Sequence, residues 1–359
     1  MTNDHEQKLS PFIAGPTIKD SRFFIGRKDE LQVLISSMTR AQPVSVNVVG
    51  RRRIGKSSLL YHFFQTYEQR LEVQNNRFVV IYVSLHDVQC QWQDGLYQTI
   101  ARQLYSRPFV LRRPNLAEPL RGRPFHRSAF SNVLGIWKRA GILPVVCLDE
   151  FEVLFRHPQE FDNSFFDYLR SLLDSEALML VIASHRNLDF YRHRYKLMSS
   201  FFNLNRVLPL GELKEVEARE LVRLPLGKFA NAEAVLSNKE QKAARQLGGC
   251  HPFLLQLAAS LIWEAHKQGH SNNWIKNHFE TEARRVPGYT INLGGMGMAL
   301  RAFLWIPLTL GKLARGMGGT VDEIGNLLIG MIILIGLIFA IAGLLNFDLI
   351  KDLLQNALS

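Results

Sequence analysis

The chain has 359 residues, of which 47% are hydrophobic and 21% are charged, and this balance excludes an intrinsically disordered protein. Three widely spaced cysteines without a CxxC pair argue against a disulfide framework or a cysteine zinc site. The net charge of +11 lies in residues 1–292, because residues 293–359 carry equal numbers of basic and acidic side chains. A basic body favours an anionic partner, such as nucleic acid, a phospholipid surface or a nucleotide.

Short apolar runs alternate with helical patterns through the first two thirds of the chain. Such alternation predicts an α/β fold in which a parallel sheet with right-handed crossovers carries helices on both faces. The predicted strands are residues 44–49, 77–85, 142–151, 178–184 and 206–210, and the predicted helices are residues 56–71, 96–105 and 159–174. From residue 214 to about residue 288 the pattern is all-helical.

Residues 50–57, GRRRIGKS, match GxxxxGK[ST] in full, after a predicted strand and at the start of a predicted helix. This context is typical of a P-loop, whose backbone N–H groups turn inward as an anion nest. Lys56 is expected to reach the β- and γ-phosphates and Ser57 to coordinate Mg²⁺. The predicted nucleotide-binding residues are Gly50, Arg51, Arg52, Arg53, Ile54, Gly55, Lys56, Ser57 and Ser58. Phosphate binding does not require the three arginines, which can equally be solvated loop charges.

A P-loop ATPase also needs acids at the end of a second apolar strand, and VVCLDE at residues 145–150 supplies them. Asp149 is predicted to hold Mg²⁺, directly or through water. Glu150 is the predicted catalytic residue that orients or deprotonates the attacking water, with Lys56 neutralising phosphate charge.

A further polar group is expected beside these acids, at the tip of the predicted strand 178–184. Ser184 and Arg186 are the candidates there. Arg186 is the preferred catalytic candidate, because a cation can respond to the γ-phosphate charge. The alternative is a helix-capping serine followed by a surface arginine.

The ordered motifs of residues 10–265 resemble the AAA-like P-loop ATPases of the STAND and archaeal-ATPase group, relatives of AAA+ proteins and NOD-like receptors. The motifs are FFIGRKDEL, GRRRIGKSSLL, CLDEFE, LPLGELKEVEARELV and GGCHPFLLQLA. In that family an element before the P-loop packs near adenine, and a GxP element of a helical lid closes over the nucleotide. The matching residues are Ile25, Gly26 and Arg27 for the first element and His251 and Pro252 for the second.

The resemblance also implies roles for three other residues. Arg186 falls at the family's sensor position. Arg206 lies where AAA+ relatives place a trans-acting arginine finger, although STAND members often lack one. Cys250 stands where the family usually has glycine, which puts tight lid geometry in doubt.

STAND proteins behave as nucleotide switches, so the resemblance implies ATP or ADP with Mg²⁺ as cofactors. ADP would hold a closed monomer, and exchange for ATP would permit self-association and release of an effector region. The candidate effector in this sequence is its C-terminal part.

Residues 327–345, LLIGMIILIGLIFAIAGLL, contain no charged side chain over 19 positions, which predicts a transmembrane helix rather than a buried core helix. Residues 293–311 are a second apolar stretch, interrupted by Arg301, and are either a first span or an interfacial helix. One or two spans are therefore expected. The expected location is the bacterial inner membrane, and the basic body predicts that the ATPase domain faces the cytoplasm.

Residues 102–127 are rich in arginine and proline and are expected to be an irregular excursion from the core. Phe109 and Phe125 are interspersed among the arginines. Such a segment can follow a nucleic-acid backbone with base stacking, lie on anionic lipid, or be a solvated loop.

The domain organisation expected from these observations has four parts. They are an N-terminal segment at residues 1–43, a P-loop ATPase core at 44–211, a helical lid at 212–288 and a membrane-associated region at 289–359. The leading hypothesis is a membrane-anchored, slowly hydrolysing ATPase switch. The alternatives are a membrane-tethered nucleic-acid-binding ATPase of replicon or mobile-element type, and a scaffold with an inert nucleotide site.

Overall fold

The computed structural model describes residues 10–71, 77–122, 125–203, 206–224, 234–287 and 289. The chain divides into two units, Met1–Tyr289 and Thr290–Ser359. The predicted spans at residues 293–311 and 327–345 lie outside the described residues. In the part of the chain that is described, no helix is both long and apolar enough to cross a bilayer.

Among the described residues, five strands form one sheet in the order β2-β3-β4-β1-β5, and every adjacent pair is parallel. The strands are β1 (Val46–Val49), β2 (Phe78–Ser84), β3 (Leu143–Asp149), β4 (Met179–Ser184) and β5 (Arg206–Pro209). The predicted parallel α/β sheet is therefore confirmed. Because the strands are parallel, their carboxyl ends meet at one edge, where Asp149 lies beside Ser84 in the register.

Helices cover both faces of the sheet. They are α1 (Lys28–Met38), α2 (Lys56–Arg70), α3 (Gln93–Tyr105), α4 (Pro108–Leu111), α5 (Pro114–Ala117), α6 (Arg127–Arg139), α7 (Asn163–Asp174) and α8 (Leu188–Arg194). Alternate residues of each strand enter opposite cores, so Val145 packs with α1 and α2 while Val146 packs with α3, α6 and α7. All seven residues of β3 are buried, as expected for a central parallel strand.

The arginine-rich stretch 102–127 is not the irregular excursion that the sequence suggested. Its described part continues α3, forms α4 and α5, and adds a 3-10 helix at Glu118–Arg121. Prolines begin these short helices, since proline is tolerated in the first turn. The apolar residues between the arginines enter the main core, namely Val110, Leu116, Leu120 and Phe125. Phe125 is only 3% exposed and is therefore not available for base stacking.

A second group of helices follows the sheet, with its own apolar core. These are α9 (Glu215–Val222), α10 (Asn238–Gly248), α11 (Pro252–Gln268) and α12 (Asn272–Ala283). We call them the lid. Phe12, from the start of the described chain, is buried in the lid core.

Residues 10–20, which we call the strap, contain no helix or strand and connect the lid to α2. The N–H of Ile13 donates to Oε1 of Gln256 on α11, at 3.0 Å. The N–H of Ile18 donates to Oγ of Ser58 on α2, at 3.1 Å. The strap therefore joins the two helical walls that flank the P-loop.

Candidate functional site

The loop between β1 and α2 has the geometry of an anion nest. Gly55 has φ of +98° and precedes the first residue of α2, Lys56. A Cβ on Gly50 would lie 2.8 Å from the carbonyl oxygen of Leu210, so only glycine fits between β1 and the end of β5. Both glycines of the motif are thus required by the backbone itself.

Lys56 is buried and folded back onto its own loop. Its Nζ donates to the carbonyl oxygens of Gly50 at 2.8 Å and Arg51 at 3.2 Å. Burial lowers the pKa of Lys56, while the nearby carboxylates of Glu152 and Asp149 act in the opposite direction. A bound phosphate would replace these carbonyls as the partner of the ammonium group.

Asp149 ends β3 and is only 2% exposed. The Tyr82 hydroxyl donates to its Oδ2 at 2.7 Å, and the Glu150 N–H donates to its Oδ1 at 3.0 Å. Burial and the charge of Asp149 raise the pKa of Tyr82, so this hydroxyl remains a donor. Each carboxylate oxygen keeps lone pairs free for a cation or a water ligand.

Glu150 has a left-handed backbone, with φ of 60°. This conformation is uncommon for a residue with a side chain and often occurs at functional sites. Its Oε2 lies 2.9 Å from Nε2 of His86. Burial and the charge of Asp149 raise the pKa of Glu150, and His86 opposes this shift.

A second carboxylate–histidine pair lies beside the first, formed by Glu152 and His185. Burial is the largest single influence on the pKa of Glu152 and would raise it, but the hydrogen bond with His185, a backbone hydrogen bond and the charges of His185 and Lys56 together lower that pKa. His86, His185 and Glu152 were not among the site residues predicted from the sequence. Both histidines follow the carboxyl end of a strand, and that position was the one available indication of their place at the site.

A cavity of about 570 Å³ connects the P-loop to the lid. At one end it is lined by Gly55, Lys56, Ser57, Asp149, Glu150 and His185. The lining also includes apolar residues, namely Ile13, Phe23, Phe24, Ile25, Leu213 and Leu221, and the basic residues Arg27, Arg52, Arg53 and Arg285. The cavity therefore brings the charged residues of the P-loop and a set of apolar side chains together around one space.

A family model for Novel STAND NTPase 1, or nSTAND1, matches residues 11–281. The chain belongs to the nSTAND1 family. The match spans the P-loop, the Asp149–Glu150 pair and the lid, so this nSTAND1 chain is an AAA+-related P-loop NTPase. A search of the curated proteins found no match.

Solved structures with the same fold include two archaeal proteins. The Walker-type ATPase PABY2304 of Pyrococcus abyssi is 17% identical, with a TM-score of 0.52 over 86% of this chain and 84% of that one. The ORC2 protein of Aeropyrum pernix, in ADPNP–ADP complexes, is 15% identical, with a TM-score of 0.53 over 96% of this chain and 84% of that one. At these identities the likeness shows the fold.

The structure places two of the three predicted adenine-side residues in the nSTAND1 cavity wall, Ile25 and Arg27. Gly26 has φ of +78°, and a Cβ there would lie 2.7 Å from Cδ of Glu217. Arg27 is 4% exposed, and its guanidinium donates to the carbonyl oxygens of Gly211 at 2.6 Å and Ile54 at 3.3 Å. Arg27 therefore joins the P-loop to the segment that leads into the lid.

On the lid side, Pro252 lines the cavity and His251 does not belong to the lining. His251 precedes α11, where its Nδ1 accepts the N–H of Leu254 at 3.4 Å. Burial lowers the pKa of His251 to about 4, so the ring is neutral near pH 7 and can act as this acceptor. Its predicted contact with nucleotide stays a prediction.

The polar residues after β4 are placed differently from one another. Ser184 is fully buried; its hydroxyl donates to the carbonyl oxygen of Arg186 at 2.6 Å and accepts from Asn47 Nδ2 at 2.8 Å. Arg186 is exposed, its guanidinium 5.8 Å from the ring centroid of Phe190, and it is not part of the cavity lining. The neighbouring His185 is the residue that faces the cavity.

The three P-loop arginines do not share one environment. Arg51 and Arg52 are exposed, and Arg52 lines the cavity. Arg53 has φ of 66°, and its guanidinium lies 4.2 Å from the ring centroid of Phe253, in the first turn of α11. Arg53 is therefore a contact between P-loop and lid rather than only a solvated loop charge.

Proposed function

We propose that this nSTAND1 chain binds Mg-ATP and hydrolyses it slowly as a nucleotide switch. The observation that carries the proposal is that the P-loop, the Asp149–Glu150 pair and the lid border one cavity. Lid motion would therefore change the nucleotide site directly. The structural relative from A. pernix was solved with ADPNP and ADP, which supports an adenine nucleotide here.

The residues at the charged end fit a magnesium ion. Ser57 and Asp149 supply a hydroxyl and a carboxylate on the cavity wall. No group of three or more histidine, cysteine or acidic residues in the described ranges is arranged to hold a metal ion alone. Mg²⁺ suits such a site, because it binds through one or two protein oxygens together with phosphates and water. When bound, it would neutralise charge on the phosphates.

The other side chains at this end have separable roles. Lys56 would exchange its two carbonyl partners for phosphate oxygens. Glu150, held by His86, would orient or deprotonate the attacking water. His185 faces the same end and is better placed than the exposed Arg186 to contact the terminal phosphate.

Two substitutions test this assignment. Lys56→Ala removes the buried cation and should abolish ATP binding, whereas Glu150→Gln should bind ATP while turnover falls by at least about a hundredfold. Both are measured on the full chain by calorimetric titration and phosphate release. Lys138→Ala is the control, because Lys138 is exposed and donates to the carbonyl oxygen of Ser175, away from the cavity. Unchanged binding and hydrolysis in Lys56→Ala would contradict the proposal.

The switch proposal extends to the rest of the chain. ADP would favour a closed monomer, and ATP would favour self-association. Residues 327–345 would anchor the protein in the bacterial inner membrane, with the ATPase domain on the cytoplasmic side. The support for the anchor is the uncharged 19-residue run itself.

A further inference from the structure

The lid wall of the cavity contains a buried amide whose donor has no partner. Gln256 lies in the second turn of α11, is 2% exposed and belongs to the cavity lining. Its Nε2 makes no hydrogen bond with any residue in the described ranges. A buried donor without a partner costs free energy, so we expect Nε2 to have a hydrogen-bond partner when the protein has its ligand bound.

The strap determines which end of this amide is free. Oε1 of Gln256 accepts the N–H of Ile13 at 3.0 Å. A backbone N–H can only donate, so the oxygen must face Ile13 and the nitrogen must face elsewhere. The end of the side chain that has no partner in the described ranges is therefore a hydrogen-bond donor, and the residue that carries it belongs to the cavity lining.

The surroundings of Gln256 fit a base rather than phosphates. Ile25, Leu213 and Leu221 of the cavity lining belong to the lid core or pack against it, and Ile13 of the strap and Arg285 also line the cavity. The carboxylates and Lys56 lie with the P-loop. A nucleoside triphosphate whose phosphates occupy the P-loop would direct its base away from these charges and toward the apolar residues of the lining.

We propose that Gln256 recognises adenine, by donating from Nε2 to N1 of the purine ring. This inference rests on the proposed nucleotide-binding function. N1 of adenine is an acceptor, whereas N1 of guanine carries a hydrogen, so in guanine the Nε2 donor would face another donor. Buried donors left unpaired weaken binding, so the site prefers ATP to GTP.

The variant Gln256→Glu tests the Nε2 donor separately from the Oε1 acceptor. The glutamate keeps the shape of the side chain and can still accept the N–H of Ile13, but it places an oxygen where Nε2 stands. The ATP dissociation constant should rise by roughly tenfold to a hundredfold, and the ATP-to-GTP preference should fall. The measurement is calorimetric titration of the full chain with Mg-ATP, Mg-GTP and Mg-tripolyphosphate.

Titration with tripolyphosphate distinguishes an effect on binding of the base from an effect on binding of the phosphates. Tripolyphosphate has no base, so its affinity should be the same in the wild type and in Gln256→Glu. Gln256→Met, which is neutral and of similar length, controls for the added charge and provides a second variant should the first not fold; it also removes the acceptor of the Ile13 N–H. It should also lose the ATP-to-GTP preference.

Gln241→Glu is the matched control in the lid. Gln241 is 8% exposed, its Nε2 donates to the carbonyl oxygen of Leu236 at 2.7 Å, and it is not part of the cavity lining. This variant should keep the wild-type ATP-to-GTP ratio, and thermal unfolding shows which variants are folded.

Two results would overturn the assignment of Gln256. One is a folded Gln256→Glu or Gln256→Met with wild-type ATP affinity and preference. The other is a loss of tripolyphosphate affinity by the same factor as ATP affinity. A wild-type chain that binds neither ATP nor tripolyphosphate overturns the proposed function instead, so the two failures are distinguishable.

Discussion

At the scale of single residues, the acids after β3 are held by histidines from neighbouring strands. His86 follows β2 and contacts Glu150, while His185 follows β4 and contacts Glu152. The P-loop and the acids could be predicted because residues with their chemistry occur in a fixed sequence pattern after apolar strands. The histidines could not, since their relation to the acids arises only when parallel strands are placed side by side.

His86→Ala should weaken catalysis without weakening ATP binding. The substitution removes a partner that lowers the pKa of Glu150, so this pKa should rise further. A general base acts in its deprotonated form. When the pH is lowered, the His86→Ala variant should therefore lose activity at a higher pH than the wild type does. We expect turnover near neutral pH to fall by about tenfold, within the range of general-base effects. The measurement is the pH dependence of kcat.

The control for this variant is another histidine–carboxylate pair. His126 contacts Asp94 at 2.5 Å on the exposed surface, away from the cavity lining. His126→Ala should leave the pH profile unchanged. An identical profile for His86→Ala would show that the contact with Glu150 has no catalytic effect.

At the scale of elements, Arg53 and Phe253 connect the loop before α2 to the first turn of α11. A cation–π contact contributes about 0.5–2 kcal/mol, depending on its exposure. Because one partner belongs to the phosphate loop and the other to the lid, this energy opposes their separation. The contact thus gives one of the three arginines a role that spacing alone could not indicate.

Arg53→Ala and Phe253→Ala should each speed ATP dissociation by a factor of about 2 to 30, the range that corresponds to a cation–π contact. The double variant should resemble either single variant, because the two residues act through one contact. Stopped-flow displacement measures the rates. Additive effects would mean that the two residues act independently. Arg113 and Phe109 in the arginine-rich stretch provide the matched control, because the Arg113 guanidinium lies 3.7 Å from the ring centroid of Phe109. The same two single variants and one double variant are made there.

Four of the strands were predictable because buried parallel strands form short, nearly continuous apolar runs, as β3 and β4 do. The prediction that residues 102–127 are irregular was wrong. The stretch contains many arginines and prolines, so the pattern does not reveal the single apolar residues, such as Leu116, that are buried in the core and hold the short helices in place. The strap was not predicted at all. Its contacts through Ile13 and Ile18 use backbone N–H groups, which leave no pattern in a sequence.

At the scale of the whole molecule, the switch proposal needs the C-terminal run to hold the protein at a membrane. Ile333→Lys combined with Leu337→Lys places two charges in this run, each costing about 2.5–3.5 kcal/mol at a helix centre. The wild-type chain should sediment with membranes and resist carbonate extraction, whereas the double variant should be released. Leu349→Lys, outside the run, is the control. Extraction of the wild-type chain by carbonate would contradict the anchor.

The strap also determines when the nucleotide site can be completed during synthesis. Ile13 and its partner Gln256 are 243 residues apart in sequence. At 5–20 residues per second, the ribosome needs roughly 10 to 50 s to make the chain between them. The strap can contact Ser58 early, but its other end must wait for α11. The P-loop itself needs β4 and β5, which flank β1, so a nascent chain can complete the P-loop once β5 is made and before α11 allows it to enclose a base.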